Sequence, residues 1–215
     1  MSTASSAKWQ HINFPHSSSL PDPSKGSFTI TTSAPTDIWR RPPTVEVFTA
    51  PIVYKVIPAH SFHRARVTLQ APYKTLYDQG GIYLRLPPTS KAKNPTEKPR
   101  FVKAGVEFEA GKPWISVVIA ANDEGADWSL TPLTEKGKVT IEVERETLNG
   151  GELGQMIKIS VVKGDGGEKV VVREMTTAFW QTEADGEVWV GAMVAKPTKD
   201  EENLLEVTFE DFVIE

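Results

Sequence analysis

The chain has 215 residues, 39% hydrophobic and 24% charged, with 24 Lys+Arg against 28 Asp+Glu and a formal net charge of −4. That length suits one large domain with a substantial core, and a mildly acidic chain without a basic block makes nucleic acid or an anionic membrane an unexpected partner. Cysteine is absent, which excludes disulfide scaffolds, thiolate metal sites and cysteine nucleophiles.

The opening MSTASSAKWQ has no apolar signal-peptide segment. No apolar run approaches the ~20 residues of a membrane span. The one Asn-x-Ser/Thr triplet, Asn94-Pro95-Thr96, carries the proline that blocks glycosylation. A soluble cytoplasmic protein is the expectation. Residues 1–8 are small and polar and are expected to be disordered, with a single domain over 9–215.

Trp9, Ile12 and Phe14 alternate loosely before Pro15 and suggest a first strand. His16–Gly26 is rich in Ser and Pro and predicts a loop, and Ser27–Thr32 a short strand. Asp37–Pro43 is expected as a loop, because Pro42 and Pro43 resist regular pairing. Thr44–Phe48, Ile52–Ile57 and Phe62–Leu69 have β-branched, apolar character. Tyr77-Asp78-Gln79 forms a polar entry to Gly81–Leu86, where Ile82, Leu84 and Leu86 share one face and Tyr83 and Arg85 the other. Pro87–Arg100, with four prolines, predicts a long loop. Phe101–Glu109 alternates again. Val102, Ala104, Val106 and Phe108 face a core, while Phe101, Lys103, Gly105, Glu107 and Glu109 face away.

Trp114–Ala121 is nearly continuous apolar and suits a strand covered on both sides. Turn signals at Asn122–Gly125, Asn149–Gly151 and Gly164–Gly167 separate further strands. These are Lys138–Glu146, a segment around Ile157, Ile159 and Val161, and Lys169–Met175. Glu187–Ala195 and Leu204–Ile214 complete the series. No segment holds a helical period over ten residues, although Met175–Glu183 has room for one turn. The fold class expected is all-β, an antiparallel sandwich or barrel with under ~10% helix against the usual ~30–35%.

An ordered set of fragments carries a resemblance: Thr36-Asp37-Ile38-Trp39, Tyr77-Asp78-Gln79-Gly80-Gly81, Lys103-Ala104-Gly105-Val106-Glu107, Val117-Val118 with Asp127-Trp128-Ser129, Val190-Gly191-Ala192-Met193 with Pro197, and Val207-Thr208-Phe209-Glu210-Asp211-Phe212. From Trp9 to the C-terminus the chain resembles the concanavalin A-like domain-of-unknown-function family that includes the fungal "regulation of enolase" proteins. The resemblance implies a jelly-roll β-sandwich of two antiparallel sheets, one concave. It also implies a cytoplasmic regulatory role in sugar metabolism, with the enolase pathway as the protein partner. The bacterial members usually have a shorter connection after the strand that follows Tyr77-Asp78-Gln79. The extended Pro87–Arg100 resembles the fungal branch.

The outward face of Phe101–Glu109 is the leading candidate site. Gly105 leaves a gap there, and Lys103 and Glu107 supply charge, with Lys103 first and Arg85 second as the expected cation beside Glu107. Tyr77, Asp78 and Gln79 offer a ring, an acceptor and an amide, the set that sugar binding uses. The structural alternative is a turn in which Asp78 caps backbone N–H groups. Trp39 and Trp128, taken as loop residues, are candidate stacking platforms or rim packing. Asp127 is a ligand contact or a structural acceptor.

Glu107 and Glu109, ~6.8 Å apart along a strand, permit acid–base chemistry at glycosidase spacing, ~5–5.5 or ~6.5–9.5 Å. The Glu-x-Asp-x-x-Glu strand that resembles laminarinases is absent, so no catalytic residue is assigned. His60 and His63, three apart, point to opposite faces of a strand, and no metal or cofactor is expected. Three readings follow: a non-catalytic module for a carbohydrate or sugar-phosphate ligand, a glycoside hydrolase or lyase using Glu107 and Glu109, and a protein-interaction factor whose cleft is incidental.

Overall fold

The structure is a computed structural model that describes residues 7–15, 19–89, 98–122, 125–134, 137–164, 167–182 and 185–215. Alternation of apolar and polar residues lays down its strands in chain order. They are β1 (Gln10–Ile12), β2 (Ser27–Ser33), β3 (Ile38–Arg41), β4 (Val45–Phe48), β5 (Ile52–Pro58), β6 (Arg64–Gln70), β7 (Gln79–Arg85) and β8 (Phe101–Glu109). The remainder are β9 (Lys112–Ala120), β10 (Asp127–Pro132), β11 (Val139–Thr147), β12 (Leu153–Lys163), β13 (Glu168–Met175), β14 (Glu187–Ala195) and β15 (Leu204–Ile214). Among the described residues helix amounts to 3%, within the limit of under ~10% expected from the sequence.

One antiparallel sheet has seven strands in the order β1-β5-β14-β7-β8-β9-β10, the other six in the order β13-β12-β11-β6-β15-β2. Their inner faces meet in the main core. Ile82 and Leu84 of β7, Val102, Ala104 and Val106 of β8, and Val190 and Ala192 of β14 pack toward Val67, Leu69, Ile141, Val143, Ile159 and Val207 of the second sheet. These side chains are all but sealed from water, each worth about 1.5–3 kcal/mol by burial when it is Val, Leu or Ile.

β3 and β4 form a separate hairpin. It covers the outer face of the seven-stranded sheet. Beneath it lies a second core, in which Tyr54, Tyr83, Phe101, Ala120 and Met193 are buried with Ile38. Phe48 lies against Tyr83 with ring centroids 6.0 Å apart. The outer face of β7–β9 is therefore covered at one end by protein, which explains why Trp114–Ala121 is apolar on both faces.

Two expectations are corrected. Asp37–Pro43 is not a loop, since Ile38–Arg41 pairs with Val45–Phe48. Pro42 and Pro43 sit in the turn after the strand, where a missing N–H costs no ladder bond. Trp128 and Trp39 lie on strands, not loops. Most of the expected N-terminal disordered stretch and of the Pro87–Arg100 loop, the end of Met175–Glu183, and the middles of Asn122–Gly125 and Gly164–Gly167 lie outside the described residues.

Candidate functional site

Strand register builds the floor of a cleft. β7 and β8 pair Gln79 with Glu107, Gly81 with Gly105 and Tyr83 with Lys103. β8 and β9 pair Gly105 with Ser116 and Lys103 with Val118, and β10 sets Trp128 opposite Val118. Cross-strand partners share a face, so Gln79, Lys103, Glu107, Ser116 and Trp128 all rise from the outer side of the sheet. Trp39, Arg41 and Val45 of the hairpin, Tyr77, and Pro197 and Thr198 complete the lining. The cleft has a volume of about 480 Å³, within the range of small-molecule sites, roughly 300–1,000 Å³.

A hydrogen-bonded network runs across the floor. The Lys103 ammonium donates to Gln79 Oε1 at 2.7 Å and to Asp37 Oδ1 at 3.3 Å. Gln79 Nε2 donates to the Tyr77 carbonyl at 3.2 Å, and the Ile38 amide donates to Asp37 Oδ1 at 2.7 Å. Glu107 Oε2 accepts from Ser116 Oγ at 2.6 Å and from Trp128 Nε1 at 3.2 Å. Glu107 is 5% exposed, and burial pushes its carboxyl up from the ordinary range. Lys103 and Ser116 offset that rise in part, and Asp37 adds to it. Tyr77 stands edge-on to Trp128, centroids 6.1 Å apart at 78°, so two aromatic surfaces meet at a right angle beside the buried acid.

A protein family described as "Protein of unknown function (DUF1349)" matches residues 12–215. The chain belongs to this family. An uncharacterized protein of Emericella nidulans is 36% identical over 189 residues, covering 87% of this chain and 86% of that one. Among solved structures, a functionally unknown protein from Saccharomyces cerevisiae superposes over 100% of this chain and 98% of its own, at a TM-score of 0.72 and 23% identity. A β-1,3-1,4-glucanase (lichenase) from a mouse hindgut metagenome covers 94% of this chain and 90% of its own, at 0.52 and 8%. A mutant of the GH43 protein BlXynB from Bacillus licheniformis covers 96% of this chain and 37% of its own, at 0.58 and 13%. These neighbours share the fold, a concanavalin A-like jelly-roll β-sandwich of two antiparallel sheets.

In this DUF1349 chain the cleft brings together Trp39, Tyr77, Gln79, Lys103, Glu107 and Trp128, six of the ten residues expected to bind ligand. Four others stand apart. Asp78 is fully buried beneath the site. Its Oδ2 caps the Thr75 amide at 3.0 Å and the Lys74 amide at 3.3 Å, and its Oδ1 takes the Lys196 ammonium at 3.1 Å. Arg85 lies over the Trp189 ring at 4.6 Å, two register positions beyond Lys103. Asp127 points to the opposite side of β10 from Trp128, as strand alternation demands, and pairs with Arg173.

Gly105 leaves no room for a ligand. A Cβ there would sit 2.0 Å from Gly80 O and 2.6 Å from Gly81 Cα, so its bareness serves the approach of β7 and β8. The expected pairing of Glu107 with Lys103 or Arg85 is also corrected. Among the described residues Glu107 has no cation within ion-pair distance, and Lys103 pairs with Asp37. Glu109 is not among the cleft residues.

The sequence reading missed Asp37, Arg41, Ser116 and Thr198 as site residues. Asp37 belongs to a fragment that carries the family resemblance, and Ser116 alternates with the core residues Ile115 and Val117. Their arrival at the cleft depends on the hairpin folding back and on β9 register, neither of which a local pattern reveals.

Proposed function

We propose that this protein is a non-catalytic binding module that holds a small polar, carbohydrate-like ligand in the cleft. The observation that carries the reading is the joining of aromatic walls (Trp39, Tyr77, Trp128) to a linked polar floor (Asp37, Gln79, Lys103, Glu107) in one cleft. Ring faces of a sugar stack on aromatics while its hydroxyls take fixed donors and acceptors. The test is a thermal-shift screen of neutral sugars and sugar phosphates, followed by titration of hits against Trp128→Ala and Lys103→Ala. Loss of the stacking surface should weaken binding by about 1–3 kcal/mol. A hit that binds both variants as tightly as the parent places the site elsewhere.

The resemblance to the "regulation of enolase" proteins supports a cytoplasmic, regulatory setting in sugar metabolism, with enolase as the partner to try first. Purified enolase that shows no association with the ligand-free or the ligand-loaded protein would count against that partner.

One observation favours a hydrolase as the second reading. Glu107 is a buried acid with a raised pKa, facing a cleft, which is the condition of a proton donor. The partner carboxylate in the cleft would then be Asp37 in place of Glu109. Reducing-end release from β-glucans that vanishes in Glu107→Gln would promote this reading over the binding one.

A further inference from the structure

The outer face of the seven-stranded sheet is not an open groove. Along β5 and β14, Tyr54, Met193 and Ala195 are buried, and at the far end of β7, β8 and β9 so are Tyr83, Phe101 and Ala120. The β3–β4 hairpin with Ile38, Trp39 and Phe48 packs into this face and lies against its Tyr83–Phe101 end, while Trp189 stacks on Tyr54 with ring centroids 4.4 Å apart. Arg40, 1% exposed, fastens the hairpin. Its guanidinium lies 5.7 Å from the Phe101 ring centre and donates to Glu46 of the same hairpin, to the Asn122 carbonyl at 2.7 Å and to the Pro99 carbonyl at 3.0 Å. The cleft is the corner that remains, at the Gln79–Glu107 end.

Within that corner several polar atoms are uncommitted. Two N–H groups of Lys103 are used, by Gln79 and Asp37, and an ammonium has three. Glu107 Oε1 and Asp37 Oδ2 take no hydrogen bond from a described residue, whereas Glu107 Oε2 and Asp37 Oδ1 take several. These donors and acceptors lie on one floor, beneath walls contributed by the hairpin, Tyr77, Trp128 and the Pro197–Thr198 segment.

We infer that the ligand is a compact polyol of one or two sugar rings, or the end of a glycan, and not the interior of a polysaccharide. This rests on the carbohydrate reading above. A chain bound through its middle needs an exit at both ends of its site, and here the hairpin fills the sheet face on one side. Added rings would lie outside the walls, in water, and gain nothing. Affinity therefore reaches its limit at two rings.

The experiment is a calorimetric titration of the full chain with glucose and xylose oligosaccharides, from one ring to six, repeated with Trp128→Ala. The expected result is saturable binding by the one- or two-ring member, a six-ring affinity within threefold of the two-ring value, and loss of at least tenfold in Trp128→Ala. Affinity that climbs tenfold or more from two rings to six overturns the size limit and leaves the carbohydrate reading standing. Silence at every length overturns the carbohydrate reading, and the size limit with it.

Discussion

Glu107 is the residue whose chemistry most depends on where the fold puts it. Burial raises its pKa above the ordinary value of 4.5. Below that ordinary value both folded and unfolded chains hold the proton, and the site costs nothing. Between the ordinary and the raised value the native state keeps a proton that the unfolded chain has lost, so stability falls as pH rises. Above the raised value the native protein carries a buried charge and the deficit stays at full size. Glu107→Gln keeps an acceptor for Ser116 and Trp128 and has no charge to bury. It should melt measurably higher than the parent at pH 7–8 and together with it near pH 4. Melting curves whose difference does not change with pH would show that the buried carboxylate carries no such cost. A carboxylate kept at a cost to stability, in a cleft, is the pattern of a functional group.

At the scale of elements, two attachments shape the site. The first is the contact of β7 with β8 at Gly81 and Gly105, where either Cβ would strike backbone. Gly105→Ala should therefore destabilise the fold by about 3 kcal/mol or more, read as a fall in the urea midpoint. A variant that keeps the parent's midpoint would mean the two strands can part without loss. The second attachment ties the Tyr77 segment to the connection after β14. Lys196 and Asp78 are both fully buried, and Lys196 also reaches Asp200 at 2.9 Å. The hydrogen bond from Thr75, then that from Lys196, holds the Asp200 carboxyl well below its usual range. Lys196→Met strands the Asp78 charge and should cost about 3–5 kcal/mol. The double variant with Asp78→Asn should cost clearly less than the two single changes added together, and simple additivity would deny the pairing. Much of this layer was legible in the sequence. The alternation in Phe101–Glu109, Glu187–Ala195 and Leu204–Ile214 fixes strands that match the observed limits, and the same alternation assigns Lys103 and Glu107 to the outer face. What escaped were facts of register and return. Asp127 and Trp128 look like loop residues beside a turn until β10 is paired to β9. Asp78, read both as a ligand contact and as a cap for backbone amides, is the cap; what no local pattern reveals is its buried partner Lys196, 118 positions away.

Over the whole molecule, a two-sheet sandwich carries a smaller layer on its outer face, and the two layers should be separable. The hairpin adds a second apolar cluster under it, but its pairing partners are its own two strands. Its hold on the body includes the apolar contacts of Ile38, Trp39 and Phe48, hydrogen bonds from the Asn13 side chain to the Phe48 carbonyl and from the Ala126 amide to the Arg40 carbonyl, and the Arg40 side chain, whose hydrogen bonds reach the segments at Pro99 and Asn122. Arg40→Met keeps the apolar stem and removes every hydrogen bond of that side chain. It leaves Glu46, 36% exposed, with Lys98 at 3.4 Å as its cation, and takes the Arg40 donor from the Pro99 and Asn122 carbonyls. The cost should be about 2–4 kcal/mol, less than for a fully buried pair because Glu46 is partly solvated. The layered arrangement also says where that cost falls. Hydrogen exchange should quicken in β3 and β4, and next at the Tyr83–Phe101 end of β7 and β8, which the hairpin shelters. Amides of β6, β11 and β12, in the other sheet, should keep their protection, because the main core does not include Arg40. Exchange that quickens equally in both sheets would mean the hairpin opens only when the whole sandwich does. It would then be part of one cooperative unit and not a cover laid over the face.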